Sequence, residues 1–273
     1  MYTKNDIIDQ LSRMGAPRDS VVIFHSSLRS IGEVEGGGEG LLDALIEHFT
    51  ADGGLFCVPT HTWNNVGKQD RITLDLTKAE SNLGALALIA AADERGLRTE
   101  NPTHSMVIFG DRERALDYAK EEAWSDSPTA AGSCYGRLLW EDGYVLLAGV
   151  CQNKNTYLHA VDELLRIPNR MSKDRLSFTV KLRDGEIIER RMFFYDEEHV
   201  SDVSLRFPKY ETAFRYHRAI TDGYIGDAPA QLCDARKLFE TVKLIWQNSG
   251  GWDPLADETP IPPSMYCNKK NIK

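Results

Sequence analysis

The fold of this chain is indicated most clearly by two adjacent stretches, YVLLAGV at residues 144–150 and NTYLHAVDE at residues 155–163. The first is a continuous apolar run of strand length, which is typical of a buried strand. In the second, Thr156 stands where a helix N-cap is expected, and acids follow within the helix. The two stretches therefore predict a buried strand, a short loop and a helix.

The predicted helix brings a histidine next to an acid. Asp162 and Glu163 follow His159 by three and four residues, so a helix places either carboxylate on the face that carries the imidazole. A histidine with an orienting carboxylate is suited to act as a general base. The spacing alone leaves a second interpretation open, in which a half-buried histidine lies beside solvated acids and has no catalytic role.

Composition places the chain among ordinary globular proteins. It has 273 residues, of which 42% are hydrophobic and 27% charged, enough to bury a substantial core. No apolar run reaches the roughly 18–20 residues of a membrane span, and the N-terminus lacks the basic and apolar segments of a signal peptide. We therefore expect no membrane partner.

Cysteine spacing and net charge indicate the cellular compartment and the class of partner. The five cysteines are scattered without a C-x-x-C pair, which argues against a disulfide framework or a zinc site and favours the reducing cytoplasm. The net charge of −9 disfavours a nucleic-acid partner. A cytoplasmic location is the resulting expectation, and the acidity mildly favours cationic partners.

Polar clusters stand at the ends of several predicted strands. The cluster that begins at His25 follows the apolar run 21–24, and Thr60-His61 follows the run 55–59. His104 directly precedes a run at 106–109. Open α/β sheets bind ligands at such strand ends. Glycines 36–38 lead into a predicted helix at 39–49, an arrangement that suits anions, although no G-x-G-x-x-G or Walker motif is present.

The second half of the chain changes in character. Alternating runs around an Asp-Gly turn at 184–185 predict a β-hairpin over 178–194. A short strand is expected to begin at Ile225-Gly226. The polar segment 64–81 is interpreted as surface, with acceptor contacts through Asp70 and Asp75 as the alternative. We predict an α/β fold made of a single domain, with a layered mixed β-sheet flanked by helices and a late β-hairpin. Its core should span about 4–247, followed by a proline-rich tail at 250–273.

Four motifs stand in order along the chain: VIFHSSLRSIG at 22–32 followed by Gly36-Gly37, PTHTW at 59–63, Arg98 with NPTHS at 101–105, and Gly149 with NTYLH at 155–159. In this order they resemble the motifs of the aminoglycoside 3-N-acetyltransferase family. Two departures from the family pattern stand out. Asn101 replaces a usual histidine, and the family's H-x-x-E spacing falls on Asp162, with Glu163 one position later.

The resemblance implies direct transfer of an acetyl group from acetyl-CoA to a primary amine, without a metal. His159 would be the general base, oriented by Glu163 or Asp162, and Thr156 or a nearby backbone N–H is the expected donor to the oxyanion. His104 is expected to be a second catalytic group, an acceptor ligand or a support.

The same resemblance implies two sets of binding residues. The donor would lie over His25, Ser26, Ser27, Ser30, Ile31, Gly32, Gly36 and Gly37, with Ser105 and Met106 beside its pantetheine arm. The acceptor, most directly an aminoglycoside, would contact Thr60, His61, Asn101, Asp196, Glu198 and Asp202. A homodimer is compatible with these expectations.

Several alternatives stay open at this point. The acceptor could be an arylamine or a metabolic amine, since Asn101 departs from the family. A serine hydrolase using Ser26 or Ser27 with His159 is disfavoured because the G-x-S-x-G elbow is absent. A catalytically inactive coenzyme A-binding protein is a third alternative. A metal hydrolase built from His61, His104 and His159 lacks the usual ligand spacing.

Overall fold

The alternation of strands and helices produces two β-sheets with helices packed on both faces of the larger one. A computed structural model describes residues 1–68, 72–195 and 202–267. The strands are β1 Val21–Ser26, β2 Leu55–Pro59, β3 Leu74–Asp75, β4 Leu97–Arg98, β5 Met106–Phe109, β6 Tyr144–Ala148, β7 Leu176–Lys181, β8 Ile187–Met192, β9 Ile220–Ile225 and β10 Ala228–Asp234. The α-helices are α1 Lys4–Met14, α2 Leu28–Ile31, α3 Gly37–Thr50, α4 Ala85–Ala92, α5 Arg112–Ala119, α6 Cys134–Arg137, α7 Tyr157–Leu164, α8 Glu211–Tyr216 and α9 Ala235–Asn248.

Short 3-10 helices join these elements. They span Trp63–Asn65, Glu122–Trp124, Gln152–Lys154, Val203–Tyr210 and Pro263–Met265. In the described residues, no helix combines the length and the apolarity that crossing a membrane requires.

The larger sheet has the strand order β4-β5-β2-β1-β6-β10-β9 and is mixed. At its centre, β1 runs parallel to both β2 and β6. The flanking strands β5 and β10 are antiparallel to β2 and β6, with Pro59 opposite Met106. The carboxyl ends of β1, β2 and β6 therefore meet the start of β5 at one edge of the sheet. This edge is where an open α/β sheet places its ligands.

Each face of the large sheet supports a separate layer of core. Successive side chains of a strand point to opposite faces, so Val21 and Ile23 join the layer that contains α5 to α9. Val22 and Phe24 join the opposite layer, which contains α1, α3 and α4. By the same alternation, His25 faces the layer that holds α7. The predicted mixed α/β sheet with flanking helices is confirmed.

The smaller sheet pairs the predicted hairpin, β7 and β8, with the short strand β3. Leu74 lies opposite Val180 and is fully buried, and Asp75 beside it is only 2% exposed. The interpretation of residues 64–81 as surface is therefore wrong for this part of the segment. The apolar signal is too short to indicate a strand, because its partner is more than a hundred residues away in sequence. Asp70 lies outside the described residues.

A second hairpin replaces the short strand expected at Ile225-Gly226. Ile225 ends β9, and Gly226 begins the turn into β10, with φ +58°. A Cβ at Gly226 would collide with the backbone oxygen of Ile31. The expected strand start is therefore wrong, because residues 225–226 end one strand and begin a turn instead of starting a strand. β9 was missed since Asp222-Gly223 interrupts its apolar pattern.

The proline-rich tail packs against the rest of the chain. Leu255 is fully buried and Tyr266 is only 6% exposed, both within the layer that contains α7. Lys209 donates hydrogen bonds to the backbone oxygens of Pro254 and Asp257. Residues beyond the expected core boundary at 247 thus contribute to the core.

We predict that Leu255→Ala lowers the free energy of unfolding by about 2–5 kcal/mol, because it leaves a cavity in a packed layer. Urea denaturation of both proteins measures the difference. Leu205→Ala, at a leucine that is 63% exposed, is the matched control and should change stability by less than about 0.5 kcal/mol. Equal effects of the two substitutions would show that the tail adds little to the core.

Candidate active site

Four of the seven histidines converge at the edge of the large sheet where β1, β2 and β6 end. His25 lies in β1, His61 follows β2, His104 precedes β5, and His159 lies in α7 beyond β6. The rings of His61 and His104 are 4.2 Å apart between centroids. Burial, and then the proximity of the other three histidines, holds the pKa of His61 well below its usual value. The polar clusters predicted at separate strand ends thus form one cluster.

The four imidazoles are neutral at pH 7. Burial lowers the pKa of His25 and of His104 to about 3. Burial also lowers the pKa of His159 to about 4, although the Asp202 carboxylate opposes this shift. His159 itself is only partly buried. A neutral imidazole that reaches the surface can accept a proton from a substrate.

Two aromatic rings contact the His159 imidazole. Tyr195 packs against it with centroids 4.5 Å apart and an angle of 32°, and Phe207 meets it edge-on at 4.8 Å. Across the described ranges, neither Asp162 nor Glu163 hydrogen-bonds His159. The geometry therefore differs from the expectation that one of these acids holds the imidazole directly.

Asp162 instead belongs to a buried ion pair. The Nε of Arg170 lies 2.6 Å from Asp162 Oδ2, and its two terminal nitrogens donate to Asp253 at 2.8 and 2.9 Å. Side-chain exposure is 4% for Arg170 and 2% for Asp162. Burial raises the pKa of Asp162 to about 6, against the opposing effect of Arg170. We call Asp162, Arg170 and Asp253 the clasp, since they join α7 to the tail.

Glu163 is held by two hydroxyl groups. Ser127 Oγ donates to one carboxylate oxygen and Thr129 Oγ1 to the other. Thr129 Oγ1 also lies 3.2 Å from the hydroxyl of Tyr195. Burial raises the pKa of Glu163, and these hydroxyl donors partly offset the shift. Glu163 is thus connected to His159 indirectly: Thr129 links it to the Tyr195 hydroxyl, and the Tyr195 ring packs against His159.

Thr156 occupies the N-cap position of α7 but does not cap it. Its backbone is already helical, with φ −61° and ψ −23°, and its side chain makes no capping hydrogen bond. The predicted side-chain cap is therefore wrong. Burial raises the pKa of Tyr135 well above its usual value, and a hydrogen bond with the Thr156 side chain partly opposes this rise. The Tyr135 hydroxyl is 2.7 Å from His61 Nε2. Because the chain already turns in the 3-10 helix Gln152–Lys154, α7 begins without an extended N-cap residue.

Asn101 organises the turn that carries His104. Its Oδ1 accepts from the backbone N–H of Thr103 at 3.3 Å and of His104 at 3.0 Å. Its Nδ2 donates to Pro128 O at 3.0 Å, and the residue is 1% exposed. The carboxamide is thus engaged with the protein, in contrast to the expected contact with an acceptor. Sequence could not show this, because the direction of a side chain depends on its tertiary neighbours.

Hydrogen bonds within the protein also join the end of β2 to the start of β5. Ser105 Oγ donates to Thr60 O at 3.0 Å, and Thr60 Oγ1 to Ser105 O at 3.1 Å. Thr60, Ser105 and Met106 are completely buried. Arg98 donates to the backbone oxygens of Lys78, Thr60 and Glu80. These motif residues hold the strand ends together, and an open surface for the pantetheine arm is not found at Ser105 or Met106.

The glycine-rich segment after β1 presents both exposed and buried positions. The Ser27 side chain caps α2 by accepting from Ser30 N–H at 3.3 Å, and Ser30 Oγ donates to Ser27 Oγ at 2.8 Å. A Cβ at Gly149, where φ is +65°, would lie 2.5 Å from Ser30 Cβ. The expected donor residues that reach the surface are Ser26, Ser27, Ser30, Gly32, Gly36 and Gly37. Ile31 is fully buried, and His25 is 8% exposed.

The remaining expected residues are Asp202, which is near enough to His159 to affect its pKa, and two acids outside the described residues. Asp202 is exposed and precedes the 3-10 helix Val203–Tyr210. Asp196 and Glu198 fall outside the described residues. Sequence analysis missed Tyr195 and Phe207, and the only available signal was the aromatic run that ends the hairpin at 193–195.

The arrangement can be compared with the alternative enzyme classes. Within the described ranges, neither Ser26 nor Ser27 hydrogen-bonds His159, since Ser27 Oγ is engaged by Ser30. In the same ranges, no three His, Cys, Asp or Glu side chains are grouped as a metal ion would require. The site offers a neutral, partly exposed imidazole backed by aromatic rings, which suits proton transfer.

Comparison with known proteins agrees with the fold and the motifs. The family profile described as aminoglycoside 3-N-acetyltransferase matches residues 23–246. Aminoglycoside N(3)-acetyltransferase VII of Streptomyces paromomycinus is 26% identical over 261 residues, covering 87% of this chain and 89% of the relative. Aminoglycoside N(3)-acetyltransferase IV of a Salmonella species is 24% identical over 247 residues, covering 88% and 86%.

Solved structures show the same fold. A histidine-to-alanine mutant of aminoglycoside acetyltransferase AAC(3)-IVa in complex with a gentamicin superposes with a TM-score of 0.75 at 23% identity, covering 98% of this chain and 94% of that one. A binary complex of AAC-IIIb with CoASH superposes with a TM-score of 0.73 at 20% identity, covering 87% and 93%. The profile match spans most of the sequence, so the chain belongs to the aminoglycoside 3-N-acetyltransferase family and is an acyltransferase.

Proposed function

We propose that this protein transfers the acetyl group of acetyl-CoA directly to the 3-amino group of an aminoglycoside, with His159 as the general base. The observation that carries the proposal is the neutral, partly exposed His159 imidazole at the sheet edge. The names of the relatives and the CoASH complex of a structural neighbour support the choice of acceptor and donor.

The chemistry requires a neutral nucleophile. An aliphatic amine is largely protonated at pH 7, so a base must remove a proton before or during attack. In the proposed reaction, His159 accepts that proton while the amine nitrogen bonds to the thioester carbonyl carbon. The tetrahedral intermediate then expels the coenzyme A sulfur, which takes the proton held by His159 and leaves as the thiol, while the second proton of the former ammonium is released to water. The products are an amide and free coenzyme A.

The donor is proposed to bind along the segment between β1 and α3. Helix α3 has 14 residues, and exposed Gly36 and Gly37 lie at its N-terminus without a Cβ to block approach. Backbone N–H groups and the helix dipole at such a terminus stabilise phosphates. The hydroxyl groups of Ser27 and Ser30 are close to this terminus in sequence and add further polar groups.

A direct assay tests the proposed reaction. The purified protein is incubated with acetyl-CoA and either gentamicin or sisomicin, thiol release is followed, and the acetylated position is assigned by NMR of the product. We expect acetylation at the 3-amino group. Absence of product with every aminoglycoside, or acetylation at another amine only, would contradict the proposal.

One observation favours a second acceptor class. The His159 ring lies among Tyr195 and Phe207, and Phe194 packs on Tyr195 with centroids 5.3 Å apart. An aromatic surface of this kind favours a flat or less polar amine, such as an arylamine or an amine metabolite. Including such amines in the same assay separates the two acceptor classes by their kcat/KM.

We predict that the His159 imidazole stays neutral well below pH 6. Burial lowers its pKa to about 4, so the charged form becomes dominant only below that pH. NMR titration of the histidine C2–H signals, with the His159 signal assigned from the His159→Asn spectrum, measures this pKa. Free imidazole in the same tube is an internal reference. A His159 midpoint between about 6 and 7, the range of an unperturbed histidine, would contradict the prediction.

A further inference from the structure

We infer that Tyr195 is a positioning residue for the base, which holds the His159 ring in place and connects it to Glu163 through Thr129. This inference rests on the proposed function, because it assigns how His159 is oriented for proton transfer. It concerns the residues that set the imidazole's angle and does not require Tyr195 to contact either substrate.

Ring geometry places Tyr195 between two histidines of the cluster. Its ring lies 4.5 Å from that of His159 at 32°, and 5.3 Å from that of His104 at 79°. Phe207 meets His159 from another direction at 69°. In the described residues, His159 makes no side-chain hydrogen bond, so these rings are the contacts that restrict its rotation. A base must be held at the correct angle to the proton that it accepts.

The hydroxyl of Tyr195 extends this contact to a carboxylate. Thr129 Oγ1 donates its single proton to Glu163 and lies 3.2 Å from Tyr195 Oη. Since a hydroxyl group has one proton to donate, Thr129 must accept from Tyr195. The hydrogen bonds therefore run in one direction, from the Tyr195 O–H through Thr129 to Glu163. Ser127 holds the other oxygen of Glu163, which anchors the far end.

This series of hydrogen bonds explains why an acid follows His159 in α7 without contacting it. Glu163 lies one helical turn from His159, but its two oxygens are engaged by Ser127 and Thr129. Its effect on the imidazole is transmitted by the position of the Tyr195 ring. Burial, and then the Glu163 charge, raises the pKa of Tyr195 well above its usual value, so the phenol keeps its proton.

Two substitutions separate the ring from the hydroxyl. Tyr195→Phe keeps the ring and loses the link to Thr129, and we expect kcat to fall by about 10-fold with little change in KM for either substrate. Tyr195→Leu also loses the ring, and we expect kcat to fall by about 10²-fold. Tyr224→Phe, at a tyrosine that is 59% exposed on β9, is the matched control and should retain full activity.

The His159 pKa provides a readout that does not depend on turnover. Loss of the ring in Tyr195→Leu exposes the imidazole to water, so its pKa should rise from about 4 toward the usual value, whereas Tyr195→Phe should leave it nearly unchanged. Unchanged kcat in both variants, or a rise in KM with kcat intact, would overturn the inference. A His159 pKa that does not move in Tyr195→Leu would also overturn it.

Failure of the proposed function has a different signature. If His159→Asn keeps full activity, His159 is not the base and the proposed function fails. In that case the His159 pKa in Tyr195→Leu still tests the ring contact. A shifted pKa supports the contact between Tyr195 and His159, and an unshifted pKa refutes it. The melting temperature of each variant shows whether a loss of kcat reflects unfolding, in which case the positioning role is refuted.

Discussion

Replacing His159 with asparagine is expected to lower kcat by about 10²–10⁴, the usual contribution of a general base. Asparagine keeps a polar side chain at this partly buried position, but its carboxamide cannot accept a proton near neutral pH. The reaction would then depend on the small fraction of amine that is already neutral. Steady-state assays at saturating acetyl-CoA and acceptor measure the change.

The dependence of this loss on pH distinguishes a base from a structural histidine. At higher pH more of the amine is neutral, so the deficit of His159→Asn should become smaller from pH 7 to pH 9. His217→Asn is the control, because the ring of His217 binds the tail at Tyr266 O, 2.7 Å away, and not a residue of the cluster. A deficit that stays constant with pH, or an unchanged kcat, would contradict the assignment of His159.

Breaking the clasp is expected to cost about 3–5 kcal/mol of stability, the usual cost of removing one partner of a buried ion pair. Arg170→Met keeps much of the side-chain volume but leaves the Asp162 carboxyl group, which is only 2% exposed, without its ion-pair partner. Asp253 loses both of its hydrogen bonds to Arg170 at the same time. Urea denaturation of the variant, compared with the parent protein, measures the loss.

Two further variants test the physical reason for this loss. Adding Asp162→Asn to Arg170→Met replaces the unpaired buried carboxyl group with a neutral carboxamide, which can both donate and accept hydrogen bonds, and should recover part of the stability. Arg236→Met breaks an exposed pair with Asp142 and should leave the denaturation midpoint nearly unchanged, since exposed pairs contribute little. If Arg170→Met were as mild as Arg236→Met, the clasp would not stabilise the junction of α7 and the tail.

The clasp also shows how the tail supports the site. Asp253 belongs to the tail and Asp162 to α7, the helix of His159. Lys209, in the 3-10 helix that carries Phe207, binds the tail backbone. The tail therefore supports both the helix of the proposed base and the ring that meets its imidazole. This link explains why a segment without periodicity is packed into the core.

Much of the fold could be predicted from local patterns. The apolar runs at β1, β2, β5 and β6 are short and continuous, so each indicated a buried strand without knowledge of its partner. The Asp-Gly turn likewise indicated the hairpin of β7 and β8. The sequence patterns did not indicate β3 or β9, for two different reasons. β3 has two residues and exists only through its pairing with β7, whereas Asp222-Gly223 breaks the alternation of β9.

The candidate site was predictable in its residue types and only partly in its contacts. The motifs indicated His25, His61, His104 and His159, which the structure brings together because β1, β2 and β6 end, and β5 begins, at one edge of the sheet. They could not indicate the partners of the acids. Helical spacing says which residues share a face, but it does not say which distant side chain lies opposite them. Asp162 pairs with Arg170, which also binds Asp253. Glu163 accepts hydrogen bonds from Ser127 and Thr129.

The sequence by itself determined the family, the reaction class and the histidine in α7 that is proposed to perform it. These follow from residue types at fixed local spacing, which a single strand, loop or helix preserves. Only the tertiary structure decided that Asn101 is internal, that Asp162 belongs to the clasp and that Tyr195 contacts His159. Those contacts join segments that are far apart in the chain, so they depend on how the layers pack and not on any local pattern.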